Sequence, residues 1–482
     1  MTSPLWPAIV KRAPAAWIWM GDNVYADTKR ATLRESLSEL YNTVSGKPST
    51  PLGADSTVFV MADAERISEQ YRRQLESPLY QKLMRTSKVL GTWDDHDYGI
   101  NDGDQRYPHR DASQQLILDF LQEPPDAARR KQRGIYTAHT FTIPADDSEA
   151  SRSAGVVRGS APPPAARLLT VTVILLDVRY HKTPYCTWPA RLACHGREYD
   201  FLGAEQWEWL NTTLRESTSD VNLVVSGVQI LAEHRWQGEN WARFPSARAR
   251  LLSLILNSGA RGVLLASGDV HFAEISRAVC KPVHARGKAA EGSREMWEVT
   301  SSGMTHSWGT LSLPARLAFR LTHAIFPYRY QHFLYTGLNV AQLDFYWNSP
   351  PGEQQGASDS SSGGGGGGTA GAGSSGRQAG EDDGDVVIRI IGAGAGDGGR
   401  GAGASFLRGR RSQGGPGVDA GAGAVVSEVG DLRLPLRLLS QRRDPGTQAG
   451  MGDVDWLCLP PSGPVAAYEV CVGVYESVGR AL

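Results

Sequence analysis

Four apolar runs in this chain each stop at an aspartate. Residues 15–20 lead into Gly21-Asp22, residues 88–92 into Trp93-Asp94, residues 168–176 into Asp177, and residues 262–266 into Ser267-Gly268-Asp269. Short, continuously apolar runs read as strands buried on both faces. Residues 221–225 and 296–300 have the same character. Between the runs, residues 28–41, 64–86, 111–121, 204–217 and 245–257 carry helical spacing, the last with Pro245 at its start. Alternating strands and helices predict the α/β class with sheets covered by helices. Ligands of such sheets bind beyond the carboxyl ends of the strands. Four aspartates far apart in sequence can therefore meet on one rim.

The chain has 482 residues, enough for one large domain or two medium ones. Its character changes near residue 348. Residues 1–347 form the first domain, and 348–425 are Gly/Ser/Ala-rich low-complexity insertions around a short strand at 386–391. Ser358 to Ser362 followed by Gly363 to Gly368 cannot bury enough apolar surface to order itself. Residues 339–346 and 465–474 again look like strands, so 426–482 reads as late strands of the first domain, with a separate small domain as the alternative. Lys and Arg number 50 against 51 Asp and Glu, for a net charge of −1, which gives no nucleic-acid signal. No apolar run approaches the ~20 residues of a membrane span. Met1 to Lys11 lacks an apolar signal core. The five cysteines, at 186, 194, 280, 458 and 471, form no CxxC; Cys186 and Cys194 are near enough for a local disulfide. Neither compartment nor oligomeric state is assigned.

Trp93-Asp94-Asp95-His96-Asp97, continuing to Asn101 and Asp102, concentrates carboxylates and one imidazole, with no Lys or Arg between Lys88 and Arg106. Carboxylates this close repel by roughly 1 kcal/mol per pair even in water. Something positive must compensate them. Oxygen donors with one imidazole suit hard or borderline cations such as Ca²⁺, Mg²⁺, Mn²⁺ or ferric iron. Two further strand ends carry donors. Gly21-Asp22-Asn23-Val24-Tyr25 offers a carboxylate and a phenol, and Ser267-Gly268-Asp269-Val270-His271 offers a carboxylate and an imidazole. A phenolate ligand favours ferric iron. Each motif alone also fits an ordinary turn.

Taken together and in this order, the three motifs closely resemble those of the PhoD-like alkaline phosphatases. That family is a branch of the calcineurin-like metallophosphoesterases related to purple acid phosphatases. Asp177-Val178-Arg179-Tyr180-His181, Trp207-Glu208-Trp209-Leu210, Arg243-Phe244-Pro245 and Glu298-Val299-Thr300-Ser301-Ser302-Gly303 match in order as well, from about Pro4 to Tyr346. The resemblance implies a four-layer α/β/β/α sandwich with a metal cluster on the sheet rim, binding Fe³⁺ and Ca²⁺ to hydrolyse phosphate esters. It places Asp22, Tyr25, Asp94, Asn101, Asp269 and His271 as metal ligands, with Asp22 bridging, Tyr25 and His271 on the iron, and Asp94, Asn101 and Asp269 on the calcium side. Asn23, Asp95 and Asp97 are assigned to the surrounding shell. One departure stands out. The family's additional upstream strand, ending in Ser-Cys with a thiolate on the iron, is lacking here: the chain opens Met1-Thr2-Ser3-Pro4, with no cysteine before Cys186.

The expected reaction is attack of a metal-activated hydroxide on phosphorus, in line with the departing alkoxide. His96 is expected either to protonate the leaving oxygen or to support Asp94. Arg179 and His181 either contact the phosphoryl oxygens or pair with the acidic cluster. His306 and Trp308 fall near an expected substrate loop. A catalytically impaired, truncated homologue that binds metal or phosphate is the alternative from another class. A nuclease would share the metal chemistry but needs a basic groove, and no basic stretch lies near the motifs. The expected partner is a phosphate ester.

Overall fold

The computed structural model describes residues 3–29, 59–143, 168–185, 199–233, 238–282, 293–325, 329–347, 384–395, 418–420, 424–435, 439 and 456–460. The strands are β1 (Ala16–Met20), β2 (Thr28–Lys29), β3 (Phe59–Val60), β4 (Lys88–Thr92), β5 (Thr137–Ile143), β6 (Leu169–Leu175), β7 (Val221–Ser226) and β8 (Val263–Ser267). They continue with β9 (Ala273–Pro282), β10 (Arg294–Ser301), β11 (Gln331–Tyr335), β12 (Leu338–Trp347), β13 (Gly384–Ala395), β14 (Val418–Ala420), β15 (Ala424–Pro435) and β16 (Trp456–Leu459).

The largest sheet runs β11-β9-β10-β8-β7-β6-β5, with β16 also on β9. Its centre, β6-β7-β8-β10, is parallel, and its flanks β5 and β9 pair antiparallel. Opposite it lie the parallel pair β1-β4 and the antiparallel sheet β12-β13-β15-β14. Leu90, Val171, Val173, Leu223, Val225, Ala266, Ile388 and Leu432 form one core, drawn from strands of both sides. A second core sets Trp207, Leu210, Leu251 and Ile255 of the helices Gly203–Glu216 and Pro245–Ser258 against β6, β7 and β8. A third sets Ile67, Tyr71, Tyr80, Leu83 and Ile117, from helices Ala64–Leu75, Pro78–Thr86 and Arg110–Phe120, against Trp19 of β1. Helices, sheet, sheet and helices are the four layers of an α/β sandwich.

Several expectations needed correction. The helical spacing of 64–86 resolves into two helices, because Ser77-Pro78 ends one and starts the next; Pro supplies no N–H and fits only the first turn. Thr28 and Lys29, expected in a helix, form β2 and pair with β3; the rest of that expected helix lies outside the described residues. Also outside them are Cys186 and Cys194, the Ser/Gly-rich stretch 358–368 and the expected strand 465–474. The disulfide found among the described residues joins Cys280 of β9 to Cys458 of β16 at directly paired positions. The island expected at 386–391 is longer, Gly384–Ala395, and lies between β12 and β15.

Candidate metal centre

The ends of β1, β4 and β8 lie side by side, which places their aspartates together. Gly21 has φ +109, and a Cβ there would fall 2.4 Å from Cβ of Asp94; a Cβ on Gly227, beyond β7, would fall 2.5 Å from Asp94 Oδ1. Only glycine lets both turns close on Asp94. Asp22, Asp102, Asp269 and His271 all hold positive φ, at 50°, 55°, 72° and 58°. Residues other than glycine are rare there, and such strain gathers at functional sites.

Asp22, Asp94, Asp95 and Asp269 bring carboxylate oxygens within 4.8 Å of one another. Asp22, Asp95 and His96 form a second such group, and Asp95, Asp102 and Glu239 a third. Asp95 belongs to all three, although the sequence had suggested the surrounding shell for it. Its Oδ2 accepts from the backbone N–H of Asp102 at 2.7 Å. Asp94 Oδ2 and Asp95 Oδ1 are buried with no hydrogen-bond partner. Orphaned carboxylate oxygens cost free energy unless something positive meets them. Burial, then the charge of Asp95, pushes Asp22 and Asp269 well above the usual carboxylate range. Burial does the same to Asp94 against the pull of Arg179. For Asp95, burial is outweighed by His96, Arg179 and the Asp102 N–H, which hold it below the usual range. Crowded, hard oxygen donors with unmet oxygens fit one or more hard cations.

Asp97 caps this turn. Its Oδ1 accepts from the N–H of Asp94 at 2.8 Å, and its Oδ2 from Asn23 Nδ2 at 2.6 Å and from Tyr71. Asn23 also donates to the carbonyl of Thr92 at 3.0 Å, tying the end of β1 to that of β4. His96 places Nδ1 2.6 Å from Asp27 Oδ1, while Asp27 Oδ2 accepts from the N–H of Asn101 at 2.9 Å. Burial alone would lower the His96 pKa, but Asp95, Asp22 and Asp27 raise it to about 11. Asn101 is thus positioned through its backbone.

Tyr25 and His271 meet at His306. The Tyr25 hydroxyl lies 3.3 Å from Asp22 Oδ2 and 3.4 Å from His306 Nε2, and the His271 and His306 rings are 4.2 Å apart. Burial, with His306 and His96 nearby, lowers the His271 pKa to about 4, so the ring is neutral and can act as a ligand. The Trp308 N–H bonds the carbonyl of His271 at 3.2 Å, and its indole bonds that of Val270 at 3.0 Å.

Behind the carboxylates lies a buried cationic layer. Arg179 donates from Nε to Asp94 Oδ1 at 2.6 Å, holds Nη2 in an ion pair 2.5 Å from the same oxygen, and pairs with Glu239 through Nη1. Lys182 Nζ lies 2.5 Å from Glu239 and 2.7 Å from the carbonyl of Asp102. Asp177 positions this layer by accepting from the N–H groups of Arg179 and Tyr180 and from the Trp93 indole. Arg179 is fully buried with its guanidinium engaged, so its place is behind the donors. His181 meets the Arg133 carbonyl at 3.2 Å and the Tyr180 ring, neither of which belongs to the cluster. Asp27, Lys182 and Glu239 carried no sequence signal. Glu239 precedes a short 3-10 turn, Trp241–Arg243, rather than a strand end, and only long-range pairing reveals it.

A cavity of about 690 Å³ opens beside Asp22, Tyr25 and Asp269 and continues between β1, β12 and the inner face of the large sheet, past Phe141, Val171, Leu223 and Val299.

The profile of a family described as PhoD-like phosphatase matches residues 3–316. A solved structure titled "Structure of PhoD" is similar in fold, with a TM-score of 0.50 at 12% sequence identity, covering 91% of this chain and 67% of that one. No curated protein matches the chain in sequence.

Proposed function

We propose, from the premise that this chain belongs to the PhoD-like phosphatase family, that it hydrolyses phosphate esters with the help of metal ions held at the rim of its two sheets. One observation carries the metal dependence: three overlapping groups of carboxylates and histidine each bring their donor atoms within ligand distance, with Asp94 Oδ2 and Asp95 Oδ1 buried and lacking a hydrogen-bond partner. Asp22, Asp95, Asp269 and Oδ2 of Asp94 would hold the cations, with Tyr25 and His271 supplying a phenol and an imidazole. That mixture suits a ferric ion beside calcium. When bound, such cations activate a water and neutralise phosphoryl charge.

The chain's own residues supply the rest. Arg179 and Lys182 offset the carboxylates from behind and keep Asp94 and Glu239 fixed. His96, held through Nδ1 by Asp27, offers Nε2 to an ester oxygen, where it can hydrogen-bond or protonate the leaving group. The Tyr25 ring lies 4.4 Å from that of His96 and 5.1 Å from that of His306.

The test is turnover of an aryl phosphate monoester and diester by the purified protein. It is run as isolated, after chelation, and after return of calcium with ferric iron, alongside elemental analysis. Activity lost on chelation and restored by the metals is expected, and the faster ester gives the class. Turnover that survives complete metal removal overturns the metal dependence. Bound metal without turnover of any ester leaves a binding module.

A further inference from the structure

The helix Leu313–Ile325 presents two faces of opposite kind. Phe319 stacks on Trp308 at 4.8 Å, and its ring also lies 5.9 Å from that of Phe272 and 4.2 Å from that of His323. That side anchors the helix to the loop carrying His271. The other side is apolar and open: Leu313 is 65% exposed, Leu317 55%, Leu321 62% and Ile325 59%, with Leu311 just before them. Five of the eight large hydrophobic residues exposed among the described residues therefore fall on one short stretch. Four-residue spacing, at about 100° per residue, makes the four a continuous stripe along the helix. Arg316 and Arg320, both exposed, lie along one edge of it. No acidic residue occurs between Glu298 and Asp344, while Arg316, Arg320 and Arg329 fall in that interval.

An apolar stripe bordered by arginines and free of acids matches the chemistry of an anionic lipid surface. Leucines enter the acyl boundary while arginines reach back to the headgroups. The helix has 13 residues, about 20 Å at 1.5 Å per residue, too short to cross a bilayer core of about 30 Å. It can lie on a membrane but not span one. We propose that Leu313–Ile325 is an interfacial helix that docks this protein on anionic membranes. The charge rules favour lipid over a protein groove, because an acid-free helix gains from every anionic headgroup around it. The proposal is independent of the hydrolytic assignment, since it uses none of the metal-centre residues. Docking would hold the loop of His271 and Trp308 close to the headgroups.

The test is cosedimentation of the full chain with vesicles of phosphatidylcholine alone and of phosphatidylcholine with phosphatidylserine. Each arginine near an anionic surface strengthens association about five-fold, so the anionic vesicles should bind about thirty-fold more tightly, and less so as salt rises. Leu317→Asp with Leu321→Asp should reduce binding to background while circular dichroism stays unchanged. Arg316→Gln with Arg320→Gln should erase the preference for anionic lipid and leave weak binding to both vesicles. Failure to bind anionic vesicles, equal binding to both by the unaltered chain, or full binding by the leucine variant overturns the proposal. A concentration-dependent dimer, abolished by the leucine variant and formed without vesicle binding, overturns it in favour of a second copy covering the stripe. A failure of phosphatase activity would leave every one of these outcomes readable.

Discussion

Arg179 hydrogen-bonds Oδ1 of Asp94 through Nε and holds Nη2 in an ion pair with the same oxygen, while Oδ2 of that carboxylate is buried without a partner. One oxygen is thus secured by the protein and the other is left for a cation. Removing the guanidinium should expose the consequence. Arg179→Met strands Asp94 in the interior and leaves Glu239 to Lys182 alone, and breaking a buried pair this way costs about 3–5 kcal/mol. Denaturant unfolding of the metal-free variant should show that loss. Calcium should recover more stability in the variant than in the parent, because it replaces a missing charge. Equal recovery in both would mean that the cation does not bind beside Asp94.

Asp95 and Asp97 are neighbours that the structure separates by role. Among the described residues Asp95 belongs to every group able to hold a metal, whereas both oxygens of Asp97 are satisfied by protein donors. Asp95→Asn should lower metal content and reduce kcat/KM by at least about a hundred-fold. Asp97→Asn should retain metal and lose about ten-fold, the scale of a residue that only orients ligands. Elemental analysis with kinetics distinguishes them, and the reverse order would return Asp95 to a supporting role.

The disulfide between Cys280 and Cys458 closes a loop with a sequence separation of 178, and holds β16 on β9. Cross-links over long loops stabilise chiefly by restricting the unfolded chain, by as much as about 5 kcal/mol for loops this long. Reducing agent should therefore lower the Tm of the parent. Cys280→Ala with Cys458→Ala should start from the lower Tm and respond no further. A parent insensitive to reductant would mean that the bond does not form.

Much of the site was legible because strand ends announce themselves. Asp22, Asp94, Asp269 and His271 each follow an apolar run, and the parallel pairing of β1 with β4 and of β7 with β8 turns that sequence rule into proximity. Glu239, Lys182 and Asp27 were illegible for the complementary reason: their roles exist only through pairings between distant loops, and nothing nearby in sequence marks them. β9 escaped because its polar residues are as buried as its apolar ones. Glu274 and Ser276 lie inside beside Ala273 and Ile275, so no alternation survives to be read. The helix Leu313–Ile325 lacks an acidic first turn, and its exposed leucines invert the pattern that marks a helix packed against a core.

That buried glutamate gives the stability of the protein a pH dependence with a definite sign. Glu274 accepts from Gln229 Nε2 at 3.0 Å and from Ser276 Oγ at 2.7 Å, yet burial raises its pKa from 4.5 to about 7. Below pH 4.5 the group is protonated in both the folded and the unfolded chain. Between 4.5 and about 7 the folded chain keeps the proton while the unfolded chain loses it, so stability falls as pH rises. Above about 7 both are ionised, and the loss levels off on the order of 3 kcal/mol. Glu274→Gln carries no proton to lose and should be the more stable form at pH 8, with the gap closing towards pH 4.5. Denaturant midpoints for parent and variant across that range test it. A gap that widens towards low pH would mean that Glu274 is held ionised in the folded protein.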